Sequence, residues 1–398
     1  MSLNQTPGAN RLHVGFFGRR NAGKSSLINA IAAQKVAIVS DIAGTTTDPV
    51  FKAMELHGIG AATLIDTAGF DDEGELGSLR VEQTEKAALR SDIAVLLFDD
   101  TDLTKELHWF KKLRKAGKPV VCVVSKGDAR DPAAIADAVT RACGEKPIIL
   151  SSTDREGIER LRSAIIRAVP EDWGQRSITG GLAGPGDLVL LVMPQDIQAP
   201  TGRLILPQVQ TMRDLLDKKC LIMSATTDRL DEALSALSRP PKLIITDSQV
   251  FRTVYEKKPA ESLLTSFSVL FAAHKGDIDY FVKSAKAIDA RTEESRVLIA
   301  ECCTHAPLSE DIGRVKLPRM LRQRIGEGLT IDVVSGTDYP EDLTPYSLVI
   351  QCGACMFNRG YVLSRIDRAK EQDVPMSNYG VVLAYLTGIL DKVSLGLS

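Results

Sequence analysis

Gly18-Arg-Arg-Asn-Ala-Gly23-Lys24-Ser25 fits the pattern G-x-x-x-x-G-K-[ST]. The motif follows a predicted strand at residues 12–17 and opens a predicted helix at 24–33, which is the context of a phosphate-binding loop. The alternative is a glycine-rich turn with an incidental lysine, but such a turn would not need a strand before it and a helix after it. Glycines let backbone N–H groups face a phosphate, the helix amino terminus adds positive potential, and Lys24 reaches the outer phosphates. The residues predicted to contact a phosphate or its Mg²⁺ are Asn21, Ala22, Gly23, Lys24, Ser25 and Ser26.

Apolar runs alternate with amphipathic stretches around this loop. Strands buried on both faces are predicted at residues 12–17, 61–66, 93–99, 120–125 and 148–151. Helices are predicted at residues 24–33, 79–89, 106–115, 132–142 and 157–168. This alternation predicts an α/β fold with a doubly wound sheet.

Two motifs extend the candidate phosphate site. Asp66-Thr-Ala-Gly69 ends a predicted strand, where the carboxylate can hold a water on Mg²⁺ and Gly69 can present its amide to a γ-phosphate. Asp41-Ile-Ala-Gly-Thr45-Thr46-Thr47-Asp48 is a turn-rich run with several hydroxyl side chains. Taken alone it would be an ordinary polar loop, but its place between the other two motifs suits a switch loop.

Two later motifs are suited to binding a base. In Ser125-Lys126-Gly127-Asp128, the aspartate can accept the N1 and N2 hydrogens of guanine, and the stem of Lys126 can cover the ring. Leu150-Ser151-Ser152-Thr153 can supply a backbone amide to the guanine oxygen. Adenine offers no such pair of hydrogens, so these segments favour guanine.

Together these segments resemble the motif set of translation-factor-like GTPases, especially the branch typified by Era, Der and MnmE. The resemblance covers residues 11–170. It implies GTP and GDP as ligands, with Mg²⁺ held through Ser25 and Thr46. The catalytic residues that it implies are Lys24, Thr46, Asp66 and Gly69. The base-binding residues that it implies are Lys126, Asp128, Ser151 and Ser152.

Three positions need comment within this resemblance. Ser125 stands where the family carries an asparagine that braces the phosphate loop and contacts the base, which puts guanine affinity in question. Phe70 stands where Ras-type enzymes carry a water-orienting glutamine, so we expect slow intrinsic hydrolysis. Asn21 matches a residue that helps to hold K⁺ near the phosphates in potassium-activated relatives, but it can equally cap the loop. Both roles of Asn21 remain open at the level of sequence.

A glycine-rich break separates this region from the rest of the chain. The predicted domains are a P-loop GTPase domain at 1–172, a small α/β domain at 187–262 and a second α/β domain at 263–398, with a linker at 173–186. Strands are predicted at 188–193, 220–223 and 243–246, and then at 267–271, 296–300, 330–334 and 347–350. A three-stranded sheet leaves an edge or face uncovered, so we expect the 187–262 domain to form a homodimer.

Cysteines cluster after two predicted strands of the last domain. Cys303-Thr-His305 follows the strand at 296–300, and Cys352-Gly-Ala-Cys355 follows the strand at 347–350 and is predicted to open a helix. In a parallel sheet those strand ends share one edge, so the groups can converge on zinc or an iron–sulfur cluster. The alternative is that they pack as small hydrophobic residues. Cys302 is predicted to point to the opposite face from Cys303 and to lie in the core.

The order of domains and the C-x-H…C-x-x-C block resemble the HydF family, the maturation GTPases of iron-iron hydrogenases. The resemblance extends through Asp311-Ile-Gly, Leu317-Pro-Arg and Cys355-Met-Phe, and so covers nearly the whole chain. It implies a 4Fe-4S cluster on Cys303, Cys352 and Cys355, and a transient diiron subcluster as cargo. The implied partners are the radical-SAM maturases HydE and HydG and the apo-hydrogenase HydA.

The fourth cluster ligand is left open by this resemblance. Many members have His-Cys-x-x-Cys, but Gln351 precedes Cys352 here. His305 is then the main nitrogen candidate, Glu301 is an oxygen alternative, and a labile position held by water or cargo is a third choice. His305 can instead be a hydrogen-bonding residue beside the ligands.

Composition restricts the function classes. The chain has 398 residues, 44% of them hydrophobic, with a net charge of −2, which excludes wholesale disorder and disfavours a general nucleic-acid binder. Seven cysteines are too few for a disulfide scaffold. No apolar run approaches the ~18 residues of a membrane span, and the first residues do not match a signal peptide. We therefore expect a cytoplasmic protein that binds neither membranes nor nucleic acid.

Two rival functions remain to be tested. One is an RNA- or ribosome-associated GTPase with a zinc-stabilised appendage, which the lack of an evident G-x-x-G clamp disfavours. The other is a metal-binding adaptor with an inactive GTPase domain, which the intact Gly23-Lys24-Ser25 and Asp66 disfavour.

Overall fold

The chain divides into two units, Met1–Trp173 and Gly174–Ser398. In this computed structural model, the described residues are 6–32, 40–42, 49–56, 59–71, 75–125, 131–171, 173–174, 176–194, 204–302 and 312–396. The predicted residues Thr46, Lys126, Asp128, Cys303 and His305 lie outside these ranges. None of the helices in the described ranges combines the length and apolar character that crossing a membrane requires.

The first unit is built on a seven-stranded sheet. Its strands are β1 (Leu12–Phe17), β2 (Ser40–Ile42), β3 (Val50–Leu56), β4 (Gly60–Asp66), β5 (Ile93–Phe98), β6 (Val120–Val124) and β7 (Ile148–Ile149). Its helices are α1 (Lys24–Ala32), α2 (Glu75–Arg90), α3 (Thr104–Lys115), α4 (Pro132–Cys143) and α5 (Arg155–Arg167). The strand order is β2-β3-β4-β1-β5-β6-β7, antiparallel between β2, β3 and β4 and parallel elsewhere.

The central strands of this sheet are apolar on both faces because helices cover both. Every residue of β1, β5 and β6 is buried. One face packs against apolar residues of α1 and α5, and the other packs against α3 and α4. The doubly wound α/β arrangement predicted from the alternating pattern is therefore present.

Three elements of the first unit differ clearly from the predictions, and the first is strand β2, which was not predicted. Strand β3 was not predicted, and it pairs antiparallel with β4 from Val50↔Asp66 to Leu56↔Gly60. Helix α2 begins at Glu75, whereas the predicted helix begins at residue 79. The first turn of α2 reads Glu-Leu-Gly-Ser, which has little apolar period, so the pattern alone underestimates the helix.

The second unit contains two four-stranded parallel sheets. The first has the order β11-β10-β8-β9, from β8 (Leu188–Val192), β9 (Leu221–Ala225), β10 (Leu243–Thr246) and β11 (Leu263–Ser266). The second has the order β13-β12-β14-β15, from β12 (Arg296–Ala300), β13 (Thr330–Val334), β14 (Leu348–Gln351) and β15 (Met376–Asn378). The helices are α6 (Leu206–Asp217), α7 (Leu230–Ser235), α8 (Phe251–Lys257), α9 (Phe267–Lys275), α10 (Ile278–Ala285), α11 (Leu317–Ile325), α12 (Arg359–Glu371) and α13 (Tyr379–Leu386).

The predicted strand at 267–271 is wrong, because Phe267–Lys275 forms helix α9. Ser266 caps this helix by accepting a hydrogen bond from the Val269 amide at 3.2 Å. The first sheet therefore continues to Ser266, four residues past the boundary predicted at 262. Most of α9 is buried, so its sequence shows a continuous apolar run that periodicity cannot distinguish from a buried strand.

The start of the second unit is tied to helix α6 by one carboxylate. Asp214 accepts hydrogen bonds from Ser177 Oγ at 3.0 Å, Ile178 N at 3.0 Å and Thr179 Oγ1 at 2.6 Å. This set of bonds fixes part of the glycine-rich segment that the sequence predicts as a linker.

Candidate functional site

The phosphate loop connects β1 to α1 through two left-handed bends. Gly23 has φ of 94° and Asn21 has φ of 60°. Lys24 is only 6% exposed, and its Nζ donates to the carbonyl oxygens of Gly18 at 3.0 Å and Arg19 at 2.7 Å. The loop is therefore curled around the lysine ammonium, which is the shape that a bound phosphate needs.

Asp66 and Ser25 lie together at the end of β4. The Asp66 carboxylate is hydrogen-bonded to the Ser25 side chain. Among the described residues, its buried Oδ1 has no hydrogen-bond partner. Burial raises the pKa of Asp66, while the Ser25 hydrogen bond and the Lys24 charge oppose that rise. An unsatisfied carboxylate oxygen beside a hydroxyl fits Mg²⁺, which prefers oxygen ligands.

Gly69 lies against the phosphate loop. A Cβ there would be 2.6 Å from the backbone nitrogen of Arg20, so only glycine permits this approach. The Arg20 amide donates to Asp71 Oδ1 at 2.6 Å, and Thr67 Oγ1 donates to the Phe16 carbonyl at 2.6 Å. The Asp66-Thr-Ala-Gly69 segment is thus fixed beside the phosphate loop, as expected if both contact the same phosphate.

Phe70 lies in the hydrophobic core. It is 8% exposed and stacks on Trp109 with ring centroids 5.6 Å apart, and Trp109 stacks in turn on Phe17 at 5.7 Å. The ring therefore takes no part in orienting a water molecule.

Arg19 anchors the loop to helix α3, which the sequence analysis missed. Its Nε donates to Glu106 Oε1 at 2.6 Å, and its second guanidinium nitrogen donates to Oε2 at 3.0 Å. Glu106 is 1% exposed, and burial raises its pKa against the stabilising effect of Arg19. The partners are 87 positions apart, so no local pattern reveals the pair.

The described part of the predicted base site contains Ser125, Ser151 and Ser152. Ser125 is buried directly after β6, and its amide donates to the Phe98 carbonyl at 3.0 Å. Ser151 follows β7, where its Oγ pairs with Thr153 Oγ1 at 2.8 Å, and Ser152 is exposed. These positions follow adjacent parallel strands, as the predicted pocket requires.

The cysteine site lies at the carboxyl ends of β12 and β14. These strands are parallel neighbours, with Ala300 opposite Gln351. The Cys352 amide donates to the Ala300 carbonyl at 3.1 Å, and the Cys302 amide donates to Cys352 Sγ at 3.1 Å. The structure therefore brings the ends of these two distant segments together.

One expectation about the cysteines needs correction, and another is tested only in part. Cys302 is buried as predicted, and its predicted orientation relative to Cys303 lies outside the described residues. It lies beside Cys352, and its thiol hydrogen bond lowers the pKa of Cys352 against the effect of burial. Cys352-Gly-Ala-Cys355 does not open a helix, because α12 begins only at Arg359 with Asn358 as its cap. A turn with Ala354 at φ of 51° intervenes, so hydrogen bonds rather than a helix end favour the Cys352 thiolate.

Glu301, the oxygen alternative for a fourth ligand, already has protein partners. Its Oε2 accepts from Arg314 Nε at 3.2 Å and Ser335 Oγ at 3.3 Å, and its Oε1 accepts from Tyr379 at 3.4 Å. These bonds favour a structural role. Within the described ranges, no three His, Cys, Asp or Glu side chains are arranged to hold a metal ion. The predicted set also needs Cys303 and His305, which lie outside those ranges.

Three family models match the chain. The model described as "50S ribosome-binding GTPase" matches residues 13–126. The "Hydrogen maturase F dimerization domain" matches 178–276, and the "Hydrogen maturase F tetramerization domain" matches 279–395. The two maturase models together cover more than half of the chain, and the predicted P-loop GTPase domain is confirmed.

Curated relatives match about two fifths of the chain. GTPase Der of Rhizobium johnstonii is 37% identical over 171 residues, covering 40% of this chain and 34% of Der. The tRNA modification GTPase MnmE of Chromobacterium violaceum is 34% identical over 160 residues, covering 40% and 35%. The chain thus spans about a third of the length of these relatives.

One solved structure with a similar fold is a variant of Era from Aquifex aeolicus bound to GDP.AlF4-. It is 18% identical, with a TM-score of 0.34, and the match covers 57% of this chain and 98% of Era. A similarity this low supports no inference about the activity of this chain.

Proposed function

Because this chain belongs to the hydrogen maturase F family, we propose that it is a GTP-hydrolysing scaffold that binds a 4Fe-4S cluster and delivers a diiron precursor to apo iron-iron hydrogenase. The observation that carries the proposal is the pairing of β12 with β14, which brings Cys302 to Cys352 at one sheet edge within the maturase domains. The GTPase domain precedes them in the same chain.

The nucleotide site supports hydrolysis of GTP. The phosphates are held by the Lys24 ammonium and by the backbone amides of the loop. The loop residues are Asn21, Ala22, Gly23, Lys24, Ser25 and Ser26. Mg²⁺ would be held by Ser25 and Thr46 with the Asp66 carboxylate beside it, and it would neutralise charge on the phosphates. The reacting phosphate is neutralised or oriented by Lys24, Thr46, Asp66 and Gly69.

Guanine is bound by Lys126, Asp128, Ser151 and Ser152. Hydrolysis is slow because Phe70 is packed in the core and cannot orient water.

The cluster would be held by Cys303, Cys352 and Cys355, with His305 as the candidate nitrogen ligand. The described donors fit such a group, since Cys352 already receives hydrogen bonds that favour its thiolate. When bound, the cluster would supply an exchangeable iron position for the diiron cargo. The cargo comes from the radical-SAM maturases HydE and HydG and passes to HydA. The family models for dimerization and tetramerization support a homo-oligomer. The homodimer predicted from the sequence would be its first step of assembly.

Anaerobic reconstitution of the full chain with ferrous iron and sulfide tests the cluster. We expect about four irons per chain and an EPR signal on reduction with dithionite. Cys352→Ala should lose most of both, because one of three thiolate ligands is removed. Cys143→Ala is the matched control, since Cys143 lies half-buried on α4 in the first unit and should behave as wild type. A wild-type chain that binds only zinc and shows no EPR signal contradicts the proposal.

A further inference from the structure

Lys275 is a buried lysine that ends helix α9 beside the cysteine turn. It is 4% exposed, and its Nζ donates to the carbonyl oxygens of Ala354 and Phe357, each at 2.8 Å. Ala354 lies between Cys352 and Cys355, and Phe357 follows them. The Lys275 ammonium therefore stabilises the turn that carries Cys352 and Cys355.

The charge of Lys275 has no acidic partner in the part of the chain that the structure describes. The groups that act on it electrostatically are the thiols of Cys355, Cys302 and Cys352. A buried ammonium without an opposite charge is costly, because the protein interior solvates charge poorly. Neutral thiols offset little of that cost, whereas thiolates bound to a metal cluster carry the opposite charge.

Arg365 supplies a second buried cation on the Cys302 side. It is 2% exposed, and its guanidinium approaches Cys302 Sγ at 3.6 Å and donates to the Gly336 carbonyl at 2.7 Å. The rings of Tyr339 and Tyr361 lie 4.6 and 4.8 Å from the guanidinium carbon. These cation–π contacts hold the charge in place without neutralising it.

We propose that Lys275 and Arg365 are a built-in counter-charge for an anionic metal cluster on this cysteine turn. They bind no metal themselves. Their fixed positive charge stabilises the cluster on its thiolates and favours the more reduced, more negative state over the oxidised one. This inference rests on the proposed function, because it requires that the cysteines bind a cluster.

Lys275→Met and Lys275→Gln separate charge from support of the turn. Gln keeps a donor for the carbonyl oxygens but is neutral, and Met removes both. In an EPR-monitored redox titration of the reconstituted full chain, we expect both variants to lower the reduced-to-oxidised ratio about tenfold at the wild-type midpoint. For a one-electron couple that ratio is a shift of about 59 mV to lower potential. Iron content should also fall, and more in Met than in Gln.

Lys118→Met is the matched control. Lys118 is also buried, its pKa is lowered by burial to about 8, and its Nζ donates to the carbonyl oxygens of Leu89 and Ser91 in the first unit. We expect this variant to lose stability but to keep the wild-type potential. An unchanged potential in both Lys275 variants, or an equal shift in Lys118→Met, overturns the inference while leaving the proposed function intact. Failure of the wild type to bind a cluster overturns the proposed function, and the inference falls with it.

Discussion

Asn21 has a backbone reason to be asparagine in addition to any cation that it binds. Its φ of 60° lies in the left-handed region, where asparagine is tolerated better than most other side chains. Its side chain is exposed, so it is accessible to a cation near the phosphates. The loop-capping role therefore has structural support, and the K⁺ role remains a prediction.

Asn21→Gly distinguishes the two roles, because glycine adopts the same φ without strain but has no amide oxygen. If Asn21 holds K⁺, the factor by which K⁺ stimulates GTP hydrolysis should be about tenfold smaller in the variant. This change is equivalent to about 1.4 kcal/mol in the activation barrier. The measurement is steady-state phosphate release in KCl and in NaCl, with Asn10→Gly, at an exposed asparagine outside the phosphate loop, as the control. The same K⁺-to-Na⁺ ratio in Asn21→Gly and wild type would leave Asn21 as a loop residue only.

At the level of elements, helix α9 links the cysteine turn to the start of the second unit. Lys275 at its end bonds to the turn, and the preceding His274 is hydrogen-bonded to the Ser177 backbone. Desolvation lowers the pKa of His274 to about 4, helped by the Lys275 charge, while Asp214 and Ser177 act in the opposite direction. Its Nδ1 is buried without a hydrogen-bond partner among the described residues. The helix thus carries a histidine that is neutral in the folded protein.

This histidine predicts an acid-sensitive second unit. Since its pKa is lower in the folded chain than the ordinary 6.5, the unfolded chain binds the proton first, and stability is lost as the pH falls from about 6.5 to about 4. The loss is on the order of 3 kcal/mol at 1.36 kcal/mol per pKa unit. Urea unfolding of wild type and His274→Gln from pH 7 to 4 measures it. Parallel pH curves for the two proteins would contradict this assignment.

At the level of the whole molecule, a GTPase domain and two hydrogen maturase F domains occur in one chain. We expect the GTP state to bias partner binding, with Thr46 and the segment after Phe70 as the switch elements. We take this segment as residues 70–78, of which 75–78 are helical in α2. Allosteric coupling of this kind is typically 5- to 150-fold.

The affinity of the full chain for apo-hydrogenase, measured with a GTP analogue and with GDP, tests this coupling. We expect at least a fivefold difference, equivalent to about 1 kcal/mol. Lys24→Ala should show none, because loss of the phosphate-binding ammonium removes the response to nucleotide. Equal affinities of the wild-type chain in both nucleotides would show that the two sites act independently.

Local patterns were sufficient for much of the fold. The strand–loop–helix around Lys24 and the strands β1, β5, β6, β12 and β14 are correctly predicted, since each is a short apolar run with a clear boundary. Local patterns were insufficient where burial is complete or where pairing is non-local. A fully buried helix such as α9 has no polar face to reveal its period, and β3 is recognisable mainly through its antiparallel partner.

The cysteine motifs and the phosphate-loop motif could be recognised from the sequence because the residues of each motif lie close together along the chain. What surrounds them was decided by tertiary structure: the Arg19–Glu106 pair, the approach of Cys302 to Cys352, and the buried Lys275 beside a turn 79 positions away. Charges and hydrogen bonds act through space over a few ångströms, and sequence separation carries no information about such distances until the sheets have assembled.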